Sequence, residues 1–365
     1  MTSTAATTAV VLKNKTVVYD INVPYNYDSR QTFATKYPHY LPTFDKIWFE
    51  PLPPFDFVDP ALRADPIKPN FLGKGVTLRH ITPRMGSIVD GIQLTTLSDA
   101  AKDELALLIC ERKVLAFPDQ DFIDAGPQFQ QDFMKYFGKP NYQPVSGTLP
   151  GYPGFHIIHR EGNKEEIDNF LSKHQTTCLW HQDVSYERQP PGYVALGMLH
   201  GPSVGGDTVF AATDMAYKRL SRAFREKLDD IKVVHSSQKM CDHTAAAGGL
   251  VRKAPVESVH PLIRVHPVTK EKCIFINGEF TTGFQGMKDG EFKALTNFLL
   301  QHIIGGHDFQ ARVQWTPRTV VLFDNRSTLH TAVVDYLSED NVAEPRHIFR
   351  LASMAEVPIC VDASG

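Results

Sequence analysis

The sequence predicts a mainly β fold, a sandwich or barrel with flanking helices, in a single domain over residues 71–365. Two observations lead to this prediction. Short apolar segments recur along the chain and are separated by turns rich in Gly and Pro. Helical periodicity is confined to a few segments, clustered early and late. This distribution is typical of packed sheets with helices at their periphery.

Residues 1–70 are predicted to form an extended N-terminal arm laid over the surface of that domain. The segment is rich in Pro, Tyr, Phe and Asp, as in Pro51-Leu52-Pro53-Pro54-Phe55. Proline donates no backbone hydrogen bond and restricts the residue before it, so dense prolines oppose both helix and ladder. Such an arm could cover its own domain or a neighbouring copy in a homo-oligomer.

The elements of the domain are predicted from their apolar patterns. Ser98 is a predicted N-cap, and helices are expected over 99–111, 129–137, 215–231 and 289–302. Strands are expected over 76–80, 86–89, 113–118, 192–199, 206–210, 262–265, 273–276, 319–323 and 346–351. Residues 142–175 have the composition of a long irregular loop, which suits either an active-site lid or a plain surface loop.

Composition and charge narrow the class of partner. A formal net charge of −3 leaves no basic surplus for nucleic acid or an anionic membrane, so a small-molecule partner is expected. The five cysteines are scattered without a C-x-x-C pair, as in free thiols of a reducing compartment. Neither a secretory leader nor a membrane span is recognisable. We therefore predict a cytoplasmic protein that binds neither membranes nor nucleic acid.

One short motif carries candidate metal ligands. His181 and Asp183 lie two residues apart in an apolar and aromatic run, and in a strand their side chains share one face while Gln182 points away. A lone His-x-Asp also occurs by chance, and on its own it is more often an ordinary surface strand. A metal site needs a third ligand from elsewhere.

His330 is the best candidate for that third ligand. It follows the predicted strand 319–323 and a polar turn, which would place it at a strand end. The other histidines in loops or at helix ends are interpreted as structural. Two imidazoles and one carboxylate on one face of an octahedron leave the opposite face open, which suits Fe(II) that binds a chelating cosubstrate and O₂. A structural zinc site would want four closed ligands.

Two arginines follow at a spacing that places them on one face of the last predicted strand. Arg346 and Arg350 are four residues apart. Guanidiniums buried together need anionic partners, so the pair predicts two clamps for carboxylate or sulfonate groups. An edge strand with both arginines solvated is the alternative.

These residues together resemble a known family. The ordered motifs His181-Gln182-Asp183, Gly205-Gly206-Asp207-Thr208, Phe323-Asp324-Asn325-Arg326-x-x-x-His330 and Arg346-x-x-x-Arg350 are similar to those of the taurine dioxygenase (TauD/TfdA) family of Fe(II)/2-oxoglutarate-dependent oxygenases, and to its fungal members in particular. The resemblance covers roughly residues 75–355.

The resemblance implies a fold, a set of ligands and a reaction. The fold would be a double-stranded β-helix, the cupin-like jelly roll, with His181, Asp183 and His330 as catalytic iron ligands. Arg346 and Thr208 would hold the distal carboxylate of the cosubstrate 2-oxoglutarate, and Arg350 the acidic group of the substrate. O₂ would then oxidise a substrate C–H bond, with succinate and CO₂ as coproducts.

The sequence departs from the family where substrate is bound. The His-Pro-Val-Tyr segment of taurine dioxygenases corresponds to Gln143-Pro144-Val145-Ser146, and an Asn before the first metal-binding His falls near Thr177. With Phe280 in the pocket, we predict a small anionic substrate other than taurine.

Two substrate classes and two other functions remain open at this point. The substrate is predicted to be an amino acid or related carboxylate that is hydroxylated or cyclised, for example to an aziridine. The alternative substrate is a sulfonate or sulfate ester, with release of sulfite or sulfate. A catalytically silent jelly-roll binding protein and a zinc hydrolase are alternatives of other classes.

Overall fold

The computed structural model describes residues 8–12, 15–19, 35–162, 164–172, 179–336 and 344–361. The strands are β1 (Thr8–Leu12), β2 (Lys15–Tyr19), β3 (Thr77–His80), β4 (Ser87–Asp90), β5 (Val114–Phe117), β6 (Lys139–Pro140), β7 (Phe155–Arg160), β8 (Pro191–His200), β9 (Thr208–Ala212), β10 (Lys232–Ser236), β11 (Glu257–Pro261), β12 (Ile263–Val265), β13 (Lys272–Ile274), β14 (Thr281–Phe284), β15 (Gln310–Val313), β16 (Val320–Asp324), β17 (Thr328–Ala332), β18 (Arg346–Met354) and β19 (Ile359–Cys360). The helices are α1 (Asp99–Arg112), α2 (Gly126–Lys135), α3 (Lys164–Leu171), α4 (Thr213–Arg219), α5 (Arg222–Leu228), α6 (Gln238–Ala246) and α7 (Asp289–Ile304).

Two sheets position the site. The larger has the order β3-β4-β5-β16-β8-β18-β6, and β7 also pairs with β18. All of its ladders are antiparallel except that between β4 and β5. The second sheet is β15-β9-β17. Two further three-stranded sheets, β11-β10-β14 and β13-β12-β19, complete the described part of the domain and confirm the mainly β prediction.

The core lies on both faces of the larger sheet. On one face, Leu196, Phe323 and Ile348 pack in a cluster with Phe210 and Leu329 of the second sheet. The opposite face packs in another cluster with side chains from α1 and α2. Since apolar side chains from both sheets are excluded from water together, residues on facing strands are held at fixed separations.

Close packing between β8 and β18 explains why residue 197 is a glycine. A Cβ built on Gly197 would lie 2.3 Å from the ring of Phe349, far inside van der Waals contact. Only glycine lets this ring cross the neighbouring strand.

Several sequence predictions need correction. The helix predicted over 215–231 is two helices, because the chain becomes extended at Leu220, whose side chain is buried in the core. Residues 142–175 are not uniformly irregular, since β7 pairs along β18 and α3 follows. Here long-range pairing overrides local turn composition.

Other predictions agree with the structure. Helix α1 begins after Ser98, whose side chain accepts a hydrogen bond from the backbone N of Ala101 at 3.2 Å. Within the predicted arm, β1 and β2 pair with each other. They precede Pro24, so the dense prolines do not oppose this ladder. A domain boundary near residue 70 stays a prediction.

A helix able to span a membrane, which would have to be both long and apolar, is absent from the part of the chain that the structure describes.

Candidate active site

The two histidines of the predicted triad meet across a short bridge. The backbone N of His181 donates to the carbonyl of His330 at 3.0 Å, and the reverse bond is 2.9 Å. His330 lies in the middle of β17, not at a strand end as predicted, and its register partner is Phe210 on β9. The centre of its ring lies 5.6 Å from that of Phe210 on β9 and 5.0 Å from that of Phe323 on β16, so it packs between the two sheets.

Asp183 reaches the histidines by a turn and not by the regular strand that was predicted. His181 forms an isolated bridge with His330, and the chain then turns through Val184, whose φ is +54°. A β-branched residue rarely adopts this left-handed conformation, and such strain occurs where a site over-determines the backbone. The turn brings the carboxylate back toward both imidazoles.

The three side chains are spaced to hold one metal ion. One ligand atom from each lies within 4.8 Å of the others, with His181 Nε2 at 3.4 Å and His330 Nε2 at 3.9 Å from Asp183 Oδ1. The Nδ1 of His181 bonds to the carbonyl of Leu179 at 2.9 Å, which leaves its Nε2 lone pair for a metal. The Oδ2 of Asp183 is buried without a hydrogen-bond partner. This donor set fits Fe(II) with an open face.

Asn325 fixes the backbone of Asp183. Its Oδ1 accepts from the backbone N of Asp183 at 2.8 Å, and its Nδ2 donates to the carbonyl of the same residue at 2.9 Å. The same Nδ2 also donates to the carbonyl of Pro191 at 3.2 Å, so the metal-binding turn is tied to the start of β8. This side chain is buried and acts as a positioning residue.

The surroundings keep His330 and Asp183 unprotonated, whereas the pKa of His181 is raised because its burial is outweighed by the hydrogen bond to Asp183 and the charge of that carboxylate. Burial, helped by the nearby His181, lowers the pKa of His330 to about 3. Burial alone would raise the pKa of Asp183, but Arg350 and the two histidines outweigh it and hold this pKa below its usual value. A neutral imidazole and an ionised carboxylate are the forms that bind metals.

Both predicted arginines are buried on β18, which excludes the solvated edge strand. Arg350 is 7% exposed, and its Nη1 donates to Oδ1 of Asp183. Arg346 is 5% exposed, and its Nε donates to the carbonyl of Gly206 at 3.1 Å. One strand therefore places a guanidinium beside the metal ligands and another beside the Gly205-Gly206-Asp207-Thr208 segment.

The Gly205-Gly206-Asp207-Thr208 segment needs its glycines. Gly205 and Gly206 have φ of +84° and +66°, conformations that glycine adopts without strain. They lead into β9, where Thr208 is buried and accepts a hydrogen bond from Nε1 of Trp315 at 3.2 Å. Trp315 was missed by the sequence reasoning. An indole donor leaves the Thr208 hydroxyl proton available for an acceptor such as a carboxylate.

The residues predicted to bind substrate fall in different places. Ser146 donates to Oε1 of Gln143 at 2.7 Å, so these two form one polar group. Phe280 packs at 4.9 Å from the ring of Tyr186, in a cluster with Val184 beside Asp183. Thr177 lies outside the described residues.

His156 on β7 was not predicted. It pairs directly with Arg350 on β18. The short alternation Phe155-His156-Ile157 is a strand signal that the surrounding Gly and Pro residues concealed.

A second group of metal-type side chains is structural. Cys110, His266 and Asp324 are buried close together, but the guanidinium of Arg326 lies among them and donates to Asp324 and to Asp59. His266 Nε2 lies 2.6 Å from Asp324. Ion pairs and hydrogen bonds already link these side chains to one another, and we interpret the network as holding the turn that carries Asn325.

Comparisons with known proteins identify the family of this chain. The family "Taurine catabolism dioxygenase TauD, TfdA family" matches residues 77–352. The chain is 41% identical over 332 residues to an alpha-ketoglutarate-dependent sulfonate dioxygenase of Saccharomyces cerevisiae, covering 89% of this chain and 79% of that protein. It is 36% identical over 331 residues to the alpha-ketoglutarate-dependent dioxygenase cnsM of Penicillium expansum, covering 88% and 90%. The crystal structure of a taurine dioxygenase from Burkholderia xenovorans is similar with a TM-score of 0.64 at 25% identity, covering 79% of this chain and 92% of that one.

A mainly β fold that brings a His-x-Asp motif, a distant histidine and two buried arginines together is that of an Fe(II)/2-oxoglutarate-dependent dioxygenase. The chain belongs to the TauD, TfdA family of these enzymes. Its cofactor and cosubstrates are accordingly Fe(II), 2-oxoglutarate (alpha-ketoglutarate) and O₂.

Proposed function

We propose that this dioxygenase oxidises a C–H bond of a small organic acid whose acidic group is held by Arg350. The observation that carries the proposal is the contact between this buried guanidinium and Asp183. A bidentate anion bound there lies beside the metal ligands, so the carbon atoms next to the acidic group come close to the reacting centre.

In this proposal, different residues of the chain bind the metal ion and 2-oxoglutarate. His181, Asp183 and His330 hold Fe(II), which when bound supplies the activation of O₂ coupled to decarboxylation of 2-oxoglutarate to succinate and CO₂. Arg346 binds the distal carboxylate of 2-oxoglutarate, and the Thr208 hydroxyl donates to the same group. Supporting this, Arg346 is buried and lies against the Gly206 carbonyl, two residues from Thr208.

The first substrate candidate is a sulfonate or sulfate ester, oxidised at the carbon that bears the acidic group so that sulfite or sulfate is released. The S. cerevisiae relative, 41% identical over most of both chains, is named a sulfonate dioxygenase. Arg350 suits a sulfonate because a guanidinium binds such an anion through two parallel hydrogen bonds.

The second candidate is an amino acid or related carboxylate, hydroxylated or oxidatively cyclised, as in aziridine formation. It is favoured by the polar group of Gln143 and Ser146, whose amide and hydroxyl can meet an ammonium or hydroxyl on the substrate. Either candidate agrees with a small anionic partner.

Two broader features belong to the same proposal. The larger sheet and β15-β9-β17 pack face to face, which supports the double-stranded β-helix as the architecture. The described cysteines are all free, which supports a reducing cytoplasm. A silent binding protein is disfavoured because the metal ligands and both arginines are in place.

The test is turnover by protein prepared anaerobically with Fe(II) and then exposed to O₂ and 2-oxoglutarate. Succinate is measured with a panel of alkyl sulfonates, sulfate esters and amino acids, and sulfite and sulfate are measured in parallel. We expect one class to stimulate succinate formation above the substrate-free level, with equimolar sulfite or sulfate if the substrate is a sulfonate or sulfate ester. The control is Asp183→Ala, which removes a ligand. No stimulation by any compound, or equal turnover by the control, would contradict the proposal.

A further inference from the structure

The orientation of His156 places its imidazole in the same interior as Arg350. The two residues are direct partners in the antiparallel pairing of β7 and β18, so their side chains lie on one face of the sheet, about 5 Å apart at Cβ. The neighbours Phe155 and Ile157 point the other way and pack with Phe349 in the core cluster. His156 therefore faces the side of the sheet that carries the metal-binding carboxylate contact.

The hydrogen bonds around His156 favour one tautomer. The Ser146 hydroxyl donates its single proton to Oε1 of Gln143 at 2.7 Å. Toward Nδ1 of His156, 3.4 Å away, the same oxygen can therefore only accept, so Nδ1 carries the imidazole proton. The Nε2 atom is then left with a lone pair, and no described residue donates to it.

The charge state agrees with an acceptor. Burial, together with the positive charge of Arg350, holds the pKa of His156 well below its usual value. The residue as a whole is of intermediate exposure, and its strand is packed on the other face. A neutral imidazole with an open lone pair thus stands next to a guanidinium that has only donors.

We propose that His156 is a specificity-determining residue whose Nε2 accepts a hydrogen bond from an N–H or O–H group of the substrate, next to the acidic group on Arg350. The inference rests on the proposed function of Arg350 and narrows it. The substrate is an acid that carries an amino or hydroxyl group near its acidic end. The guanidinium donors bind the acidic group and the imidazole accepts from the neighbouring amino or hydroxyl group, whereas an acid with a plain alkyl chain leaves the imidazole without a hydrogen-bond partner.

The experiment compares matched acids with and without the donor. Calorimetric titrations use anaerobic protein loaded with Fe(II) and 2-oxoglutarate and three pairs of probes: taurine against propane-1-sulfonate, isethionate against 2-methoxyethanesulfonate, and L-valine against isovalerate. The first two pairs and the third distinguish a sulfonate from a carboxylate. For at least one pair we expect the donor-bearing acid to bind roughly tenfold more tightly.

Variants tie that preference to the imidazole. His156→Phe keeps a ring without an acceptor and is expected to bring the affinity ratio close to one, while His156→Gln keeps an acceptor oxygen and is expected to retain part of the preference. The matched control is His159→Phe on the same strand, whose ring packs against His347 on the opposite face. It should leave the ratio as in the parent protein.

Two results would overturn the inference: no preference for the donor-bearing acid in any pair, or a preference that His156→Phe leaves intact. Failure of the proposed function is recognised separately. If no acid stimulates succinate formation, the oxidation itself is refuted, whereas stimulation without a donor preference refutes only the role of His156.

Discussion

Replacing Asn325 by alanine should separate the stability of the fold from the affinity of the metal site. The substitution removes three hydrogen bonds, two with the backbone of Asp183 and one with the carbonyl of Pro191. Each of the three backbone groups would lose this bond, at about 1 kcal/mol each, so the free energy of unfolding should fall by about 3 kcal/mol. Because Asp183 would lose the contacts that orient its backbone, metal affinity should also fall, roughly 10- to 100-fold.

Both quantities can be measured on the same preparations. Urea unfolding gives the free energy of unfolding, and competition with a chelator for Mn(II) gives the metal affinity below the unfolding transition. The matched control is Gln130→Ala on α2, which is also buried and also loses three hydrogen bonds, with Tyr40, Phe122 and Ile123. We expect a similar loss of stability and no change in metal affinity. An Asn325 variant that keeps its metal affinity, or a control that loses as much, would refute the positioning role.

Two further predictions concern the arginines and pH. Arg346→Leu should raise the 2-oxoglutarate concentration needed for half-maximal succinate formation roughly a hundredfold. Arg350→Leu should instead abolish the stimulation of succinate formation by substrate. If each variant showed the effect expected of the other, the roles of the two arginines would have to be exchanged. Burial lowers the pKa of His347 to about 4. The unfolded state takes up this proton near pH 6.5, so titration of the residue does not change stability above that pH. Below it, the free energy of unfolding that depends on this residue declines by about 1.4 kcal/mol per pH unit down to pH 4. In His347→Gln the free energy of unfolding, measured with urea between pH 6.5 and pH 4, should therefore fall less steeply with decreasing pH than in the parent protein. An unchanged slope would contradict the prediction.

Local patterns accounted for much of the fold and for the chemistry of the site. Ser98 caps α1 as its side-chain chemistry predicts, and the even spacing of Arg346 and Arg350 places both on one face of β18. Such features depend on the few residues around them, so the sequence reports them directly.

Sequence reasoning failed where distant segments decide the structure. The turn through Val184 replaces a regular strand because the bonds from Asn325, 142 residues away, hold the backbone there. Trp315 escaped notice because its partner Thr208 is 107 residues distant. Neither contact produces a periodic pattern of residues that could be recognised in the sequence.

The sequence by itself determined the class of protein, and it predicted the metal-binding residues and the placement of two arginines on one strand face. Tertiary structure alone decided that Arg350 contacts Asp183, 167 residues earlier, and that His156 stands opposite the same arginine. The physical reason is that strand pairing, not chain order, fixes which side chains become neighbours. The proposed metal ligands can thus be predicted from motifs, whereas the residue that we expect to recognise the substrate is identified only from the pairing of β7 with β18.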